Sequence, residues 1–223
     1  MFTIYSADVT GNPGNCSYPH KHVILDEASL KSAISHDYVC AEYRNSYRNG
    51  ENFIGSDCLP VDCDNDHSEN PADWMTPDDV MQAFPGVTFA IHFSRFHNRE
   101  KNGKAARPKF HVLFPIEHCT DAALYSDMKK LVNSIFPYFD TQALDAARFF
   151  FGTATAEVAL YPGRMNLTEF LNERRQFFLA SDFKADGNCG FLLLVGTAVD
   201  RSHINLTFCE HFRKVYQKTC TVI

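Results

Sequence analysis

Short stretches of alternating hydrophobic and polar residues recur along the chain, and this alternation predicts half-buried β-strands. Other stretches repeat hydrophobic residues every three to four positions, which predicts amphipathic helices. Turn and capping residues such as Gly, Pro, Asn and Asp mark where these elements begin and end. Strands are predicted at 38–42, 61–64, 87–93, 109–114, 157–161 and 191–199, and helices at 26–36, 76–84, 121–136, 167–180 and 208–218.

The predicted helices and strands are mixed in order, and neither a repeat nor a low-complexity linker divides the chain. This order predicts a single α+β domain that spans 1–223. Within it we expect a small N-terminal α/β portion at 1–45, a central core at 46–165 and a C-terminal portion of helix and strand at 166–223.

Composition and charge narrow the possible functions. The 223 residues are 45% hydrophobic and include 20 Phe, which is enough for a sizeable core. The formal net charge of −6 argues against a protein that coats nucleic acid through bulk electrostatics, so any contact with nucleic acid must be local or metal-assisted. Because neither a secretory signal nor a long apolar run is visible, we expect a cytoplasmic protein with no membrane partner.

The eight cysteines are scattered without a Cys-x-x-Cys pair, which favours reduced thiols over a disulfide framework. Cys58, Cys63 and His67 are the closest approach to a zinc motif. Their spacing is unusual and a fourth ligand is missing, so no zinc is expected.

The segment Leu59-Pro60-Val61-Asp62-Cys63-Asp64 places two acids in an otherwise apolar strand. In an extended chain Asp62 and Asp64 point to the same face, about 6–7 Å apart. Two ionised carboxylates on a half-buried face are unfavourable unless a cation lies between them. Carboxylate oxygens suit Mg²⁺ or Mn²⁺ better than zinc, so the pattern indicates a site for such an ion. The alternative is the polar end of a strand that runs into an Asn-Asp turn.

A second group of candidate residues is basic. In the strand at 109–114, Lys109 and His111 share one face while Phe110 and Val112 take the other. Two basic segments, 43–50 and 94–107, are predicted to be loops, and their arginines would suit contacts with phosphate or nucleic acid. Solvated surface is the alternative interpretation for both loops.

The order of these motifs resembles the three catalytic motifs of the archaeo-eukaryotic primase superfamily, in particular primase-polymerase domains of phages, plasmids and integrated elements. The resemblance is carried by Asp62-x-Asp64, by Lys109-Phe110-His111 and by Leu144-Asp145, followed by Arg148-Phe149-Phe150-Phe151-Gly152. It spans about 44–165. Two departures are Lys109, where the family usually has a small or polar residue, and the lack of a counterpart to the zinc-binding stem of some members.

The resemblance implies a catalytic core with an RRM-like mixed or antiparallel sheet flanked by helices. It implies template-dependent nucleotidyl transfer on single-stranded DNA from NTPs or dNTPs, with two Mg²⁺ or Mn²⁺ ions and, as a further partner, a replicative helicase. The residues carried over are Asp62, Asp64 and Asp145 as catalytic metal ligands and His111, Lys109 and Arg148 as nucleotide contacts. From the two basic loops, Ser94 and Arg95 are predicted nucleotide contacts, and Arg44, Arg48 and Arg107 are predicted nucleic-acid contacts.

Two other functions fit parts of the sequence. His20-Lys21-His22 is similar to the paired histidines of rolling-circle initiator nucleases, although that motif requires an apolar residue where Lys21 stands. A non-catalytic nucleic-acid-binding accessory protein of replication could also retain the fold.

Overall fold

The computed structural model describes residues 1–101 and 103–173. In this part of the chain it contains antiparallel sheets, three complete α-helices and the start of a fourth helix at 167. The helices are α1 (Glu27–Ala33), α2 (Pro77–Ala83) and α3 (Ala122–Ile135). The strands are β1 (Phe2–Ser6), β2 (His20–Ile24), β3 (Tyr38–Val39), β4 (Glu42–Tyr43), β5 (Phe53–Cys63), β6 (Phe89–Phe93), β7 (Arg99–Lys101), β8 (Lys104–Arg107), β9 (Phe110–Cys119), β10 (Phe149–Phe150) and β11 (Val158–Tyr161).

The strands form a central sheet in the order β11-β6-β9-β5-β4, an N-terminal sheet in the order β10-β3-β1-β2 and a hairpin of β7 and β8. Every pairing between these strands is antiparallel. The predicted α+β class is confirmed, and of the two sheet types expected, the antiparallel one is found. The N-terminal sheet takes its fourth strand, β10, from residues that lie far along the chain.

The central sheet is covered on both faces. On one face Val112 of β9 packs with Val80 of α2 and Val132 of α3. On the other face Leu113 of β9 packs with Leu30 of α1 and with residues of the N-terminal sheet. Because successive strand residues point to opposite faces, the long strand β9 contributes to both cores.

Each complete helix begins at a side-chain cap, which explains why its start could be predicted. Asp26 and Thr76 accept from the backbone N–H three residues on, and each forms a reciprocal capping box. Asp121 accepts from the first turn of α3. The helices predicted at 26–36, 76–84 and 121–136 are confirmed with slightly shorter bounds. No helix in the described part of the chain is long and apolar enough to cross a membrane.

The segment 94–107 differs from its prediction as a loop, since it contains the hairpin of β7 and β8. Both strands carry charged residues that are mostly exposed, so neither shows the alternation on which strand prediction depends. The strand predicted at 191–199 and the helix at 208–218 lie outside the described residues. The helix predicted at 167–180 begins at 167 and is described to 173.

Candidate functional site

Three neighbouring strands of the central sheet place polar side chains side by side. Asp62 of β5 lies opposite His111 of β9, and His111 lies opposite His92 of β6. Residues opposite each other in antiparallel strands present their side chains close together on one face. An acid and two histidines that are distant in sequence therefore form one buried site, which we call the polar row.

The hydrophobic pattern of β5 and β9 fixes which face the polar row occupies. Val61, Cys63, Phe110 and Val112 belong to the core beneath α2 and α3. The alternate residues, including His111, consequently face the N-terminal sheet. The prediction that Phe110 and Val112 lie on the face opposite His111 is confirmed.

Asp62 is an acid with unmet hydrogen-bonding capacity. Its side chain is only 8% exposed, and its Oδ1 has no hydrogen-bond partner among the described residues. Burial, with the charge of Asp64 as the next largest cause, raises the pKa of Asp62 to about 7. Asp64 follows the end of β5 and is partly exposed. The two predicted acids thus lie within electrostatic reach of each other at the end of the strand.

Two cations border the acids. Arg148 lies just before β10 and places Nη2 3.6 Å from Oδ2 of Asp62. Lys109 lies just before β9 and places Nζ 3.3 Å from Oδ1 of Asp64 and 3.3 Å from Oδ1 of Asp66. Arg148 and Lys109 both lower the pKa of Asp62, although burial outweighs them. The site therefore holds an acid pair between two cationic side chains.

The histidines of the polar row are neutral and linked by a hydroxyl. The Oη of Tyr38 in β3 lies 3.0 Å from Nδ1 of His92 and 3.3 Å from Nδ1 of His111. Burial lowers the pKa of His92 to about 3 and holds the pKa of His111 well below its usual range. The other ring nitrogen of His111, Nε2, lies 3.6 Å from Oδ1 of Asp62.

The structure does not bring the carboxylate of Asp145 together with the other two acids in a metal-binding group. Asp145 is exposed, and its Oδ1 accepts from the backbone N–H of Ala147 at 2.7 Å. Within residues 1–101 and 103–173, no three His, Cys, Asp or Glu side chains are grouped closely enough to hold a metal ion. The acid pair Asp62 and Asp64, with its unpartnered oxygen, still fits the chemistry of a hard divalent cation.

A further acid near the pair escaped the sequence analysis. The backbone N–H of Asp140 donates to the carbonyl of Asp62 at 2.8 Å, and the charge of Asp140 contributes to the raised pKa of Asp62. Its carboxylate accepts from the N–H of Gln142. No spacing rule identifies Asp140, because only the approach of the chain after α3 to the end of β5 makes it a neighbour.

The other predicted nucleotide contacts lie on or near the exposed side of the site. Ser94 donates its backbone N–H to the carbonyl of Lys109, and its hydroxyl oxygen accepts from the N–H of Phe96. The guanidinium of Arg95 is exposed and lies 4.2 Å from the ring centroid of Phe151.

The predicted nucleic-acid contacts are divided between surface and interior. Arg44 is exposed. Arg48 is half-buried, lies over the ring of Phe149 and donates to the carbonyl of Ala147 at 2.9 Å. Arg107 is fully buried, so its guanidinium is not at the surface to which the sequence analysis assigned it.

The guanidinium of Arg107 is the centre of a group that we call the Arg107 cluster. Its nitrogens donate to the carbonyls of Asn65, Ser68 and Ala105 and to the carboxylate of Glu69, and the group lies over the ring of Trp74. Every guanidinium nitrogen of Arg107 thus has a partner inside the protein.

The residues of the alternative motifs make contacts elsewhere. On β2, His20 lies 2.6 Å from Asp8, and His22 lies 2.9 Å from the hydroxyl of Ser6. Cys58 and Cys63 belong to different hydrophobic cores, and the ring of His67 is bonded to the carbonyl of Asp73. The three residues considered for zinc therefore do not converge.

No protein-family model matches the sequence, and no curated protein matches it. Among solved structures, the chain is similar to the AEP domain of the cyanophage S-2L primase-polymerase, with 12% identity and a TM-score of 0.41. The match covers 73% of this chain and 82% of that chain. A likeness of this strength is a weak one of fold, and it assigns no role to any residue.

Proposed function

We propose that this protein is a metal-dependent nucleotidyltransferase, a DNA primase or primase-polymerase that copies single-stranded DNA from nucleoside triphosphates. The observation that carries the proposal is the acid pair Asp62 and Asp64, bordered by Arg148 and Lys109, with one buried carboxylate oxygen that has no hydrogen-bond partner among the described residues. Acids that suit a hard cation, next to cations that suit phosphate, form the donor set that phosphoryl transfer requires.

Asp62 and Asp64 hold Mg²⁺ or Mn²⁺ in this proposal. The bound ions would activate the 3′-hydroxyl of the growing strand and neutralise the charge of the leaving pyrophosphate. Arg148, Lys109 and His111 bind and orient the triphosphate, because cationic and N–H donors make strong hydrogen bonds to phosphate oxygens. Proximity and charge stabilisation account for catalysis without a covalent intermediate on the protein.

The proposed third metal ligand is either Asp145, which the motif order indicates, or Asp140, which lies near Asp62. The backbone contact of Asp140 with Asp62 supports Asp140, whereas the position of Asp145 three residues before Arg148 supports Asp145. Single Asp140→Asn and Asp145→Asn variants separate the two. The variant whose synthesis falls as far as that of Asp62→Asn identifies the ligand.

The exposed cations beside the site form the proposed contact with single-stranded DNA and the incoming nucleotide. Ser94 and Arg95 lie in the segment tied to Lys109, and the stack of Arg95 on Phe151 offers both charge and an aromatic face. Exposed Arg44 and half-buried Arg48, which donates to the carbonyls of Ala147 and Asn15, are further proposed contacts. Arg107 is left out, because it is fully buried and its donors are used inside the protein.

Template-directed synthesis tests the proposal. The full chain is incubated with single-stranded DNA, labelled NTPs or dNTPs and Mg²⁺ or Mn²⁺, with and without a primer. An Asp62→Asn/Asp64→Asn variant is assayed in parallel, and Asp127→Asn serves as a control because Asp127 is an exposed acid on α3, paired with Lys130. We expect product from the native chain and from Asp127→Asn, and none from the double variant.

Product made equally by the double variant would contradict the proposal. Synthesis without a primer would identify a primase, and synthesis only with a primer would identify a polymerase. A higher rate of synthesis with NTPs than with dNTPs, or the reverse, would identify the preferred substrate.

A second candidate is a nucleic-acid-binding accessory protein without catalysis. It is favoured by the lack of a group of three metal-ligating side chains in the described part of the chain. It predicts that the folded native chain binds single-stranded DNA, makes no product in any lane, and binds equally well when Asp62 and Asp64 are replaced.

A further inference from the structure

The hydroxyl of Tyr38 lies between the two histidines of the polar row, and all three side chains are buried. Its Oη is 3.0 Å from Nδ1 of His92 and 3.3 Å from Nδ1 of His111, and the two Nδ1 atoms are themselves 3.3 Å apart. In the proposed function His111 binds the triphosphate, whereas Tyr38 and His92 have no assigned role. The positions of the protons among these three side chains indicate such a role.

The unpartnered nitrogen of His92 decides where its proton lies. Because burial lowers the pKa of His92, its neutral ring carries one N–H at pH 7. The Nε2 of His92 is buried and has no hydrogen-bond partner among the described residues. A buried N–H without an acceptor is rarer than an acceptor without a donor, so the proton belongs on Nδ1, where it is donated to Tyr38.

The position of the His92 proton then sets the proton of His111. With its oxygen accepting from His92, the Tyr38 O–H is free to donate to Nδ1 of His111. That leaves the His111 proton on Nε2, which faces Oδ1 of Asp62 at 3.6 Å. If His92 were protonated on Nε2 and His111 on Nδ1, the N–H of His92 would be buried without an acceptor. The lone pair on Nε2 of His111 would then face the carboxylate of Asp62.

We propose that Tyr38 and His92 are positioning residues that hold His111 in the tautomer protonated on Nε2. His111 then presents an N–H donor to the site, which is the form needed to bind a phosphate oxygen of the nucleotide. This role rests on the proposed function, whereas the tautomer itself is a property of the protein without substrate. It parallels the way in which neighbouring hydrogen bonds fix the tautomer of metal-binding histidines.

Long-range ¹H–¹⁵N correlation spectra of the full chain, labelled with ¹⁵N in histidine and assigned through the backbone, test the tautomers directly. We expect His111 to be protonated on Nε2 and His92 on Nδ1. In Tyr38→Phe, which keeps the ring stacked on Phe150, His111 should become a mixture of both tautomers. A native His111 protonated on Nδ1, or tautomers unchanged in Tyr38→Phe, would overturn the inference.

Tyr125→Phe is the matched control, because it also deletes a buried tyrosine hydroxyl, here the donor to the carbonyl of Cys58 at 2.7 Å. It should leave the tautomer of His111 unchanged. In the synthesis assay, Tyr38→Phe should raise the KM for nucleotide about 10-fold with little change in kcat, as expected when binding is lost equally in the ground state and the transition state. Tyr125→Phe should leave that KM within a factor of about 2. If the native chain makes no product, the proposed function fails, and the spectra alone decide the roles of Tyr38 and His92.

Discussion

The polar row and the Arg107 cluster are both buried and polar, and they lie close together near the paired ends of β5 and β9, but they differ in how completely they are satisfied. Every guanidinium nitrogen of Arg107 has an acceptor within the protein. In the polar row, Oδ1 of Asp62 and Nε2 of His92 have no hydrogen-bond partner among the described residues, and the pKa of Asp62 is raised. A satisfied buried network stabilises a fold, whereas unmet polar capacity indicates a site built for something else.

The largest effect is expected at Asp62. Asp62→Asn removes a proposed metal ligand and should lower the rate of templated synthesis by more than about 100-fold. The free energy of unfolding at pH 8 should be maintained or increased, because the charge of a buried carboxylate with a raised pKa opposes folding. Synthesis and urea unfolding of the same preparation measure both quantities. A variant that is inactive because it is unfolded would contradict the separation of function from stability at this position.

Arg107→Met should show the opposite behaviour. It preserves apolar bulk over Trp74 but leaves the carbonyls of Asn65 and Ser68 without their donor. We expect a loss of about 3 kcal/mol in the free energy of unfolding, since a buried charged donor is removed from several acceptors. Synthesis per folded molecule should change little. A large loss of synthesis in a fully folded variant would place Arg107 in the functional site after all.

His92, which faces the Tyr38 hydroxyl and the ring of His111, should make the folded protein less stable in acid. Burial lowers the pKa of His92 to about 3, so on acidification below about 6.5 the unfolded chain takes up a proton first. The contribution of neutral His92 to the free energy of unfolding is therefore fully present above about pH 6.5. It is lost progressively as the pH falls from there towards 3. Between pH 7 and pH 5, the native chain should lose about 2 kcal/mol more stability than His92→Asn.

Urea unfolding of the native chain and of His92→Asn at pH 7, 6 and 5 measures this difference. The titration of Asp62 occurs in both proteins, whereas His92→Asn also removes one cause of the lowered pKa of His111, so the difference reports His92 together with its effect on His111. Parallel pH dependences for the two proteins would refute a buried neutral His92.

The residues of the polar row differ in how far the sequence could predict them. The acids at 62 and 64 and the shared face of Lys109 and His111 follow from strand alternation, a local property. His92 looks like any polar strand residue until β6 is placed beside β9, and Tyr38 comes from another sheet. Pairing across strands and packing between sheets are long-range, so the roles of His92 and Tyr38 required the structure.

Charge patterns were less informative than strand patterns. Arg107 belongs to a run of basic residues that is typical of an exposed loop, yet it ends β8 and is buried. The chain after α3 brings the backbone of Asp140 to Asp62, a contact that no motif in the sequence indicates. At Arg107 the local composition was correct about residue type and uninformative about whether the fold directs the side chain inward.

Lys109 connects the acids beside the polar row with the Arg107 cluster. Its Nζ lies between Asp64 of the proposed metal site and Asp66, which also approaches Arg107 at 3.6 Å. Lys109→Met should therefore have two moderate effects: the KM for nucleotide rises about 10-fold, and the free energy of unfolding falls by about 1 kcal/mol. Lys104→Met is the matched control, since Lys104 pairs with the same Asp66 at 3.0 Å from a half-exposed position. It should change both quantities less. An effect of Lys109→Met on stability alone would assign Lys109 to the structural network and leave Arg148 and His111 as the proposed triphosphate contacts.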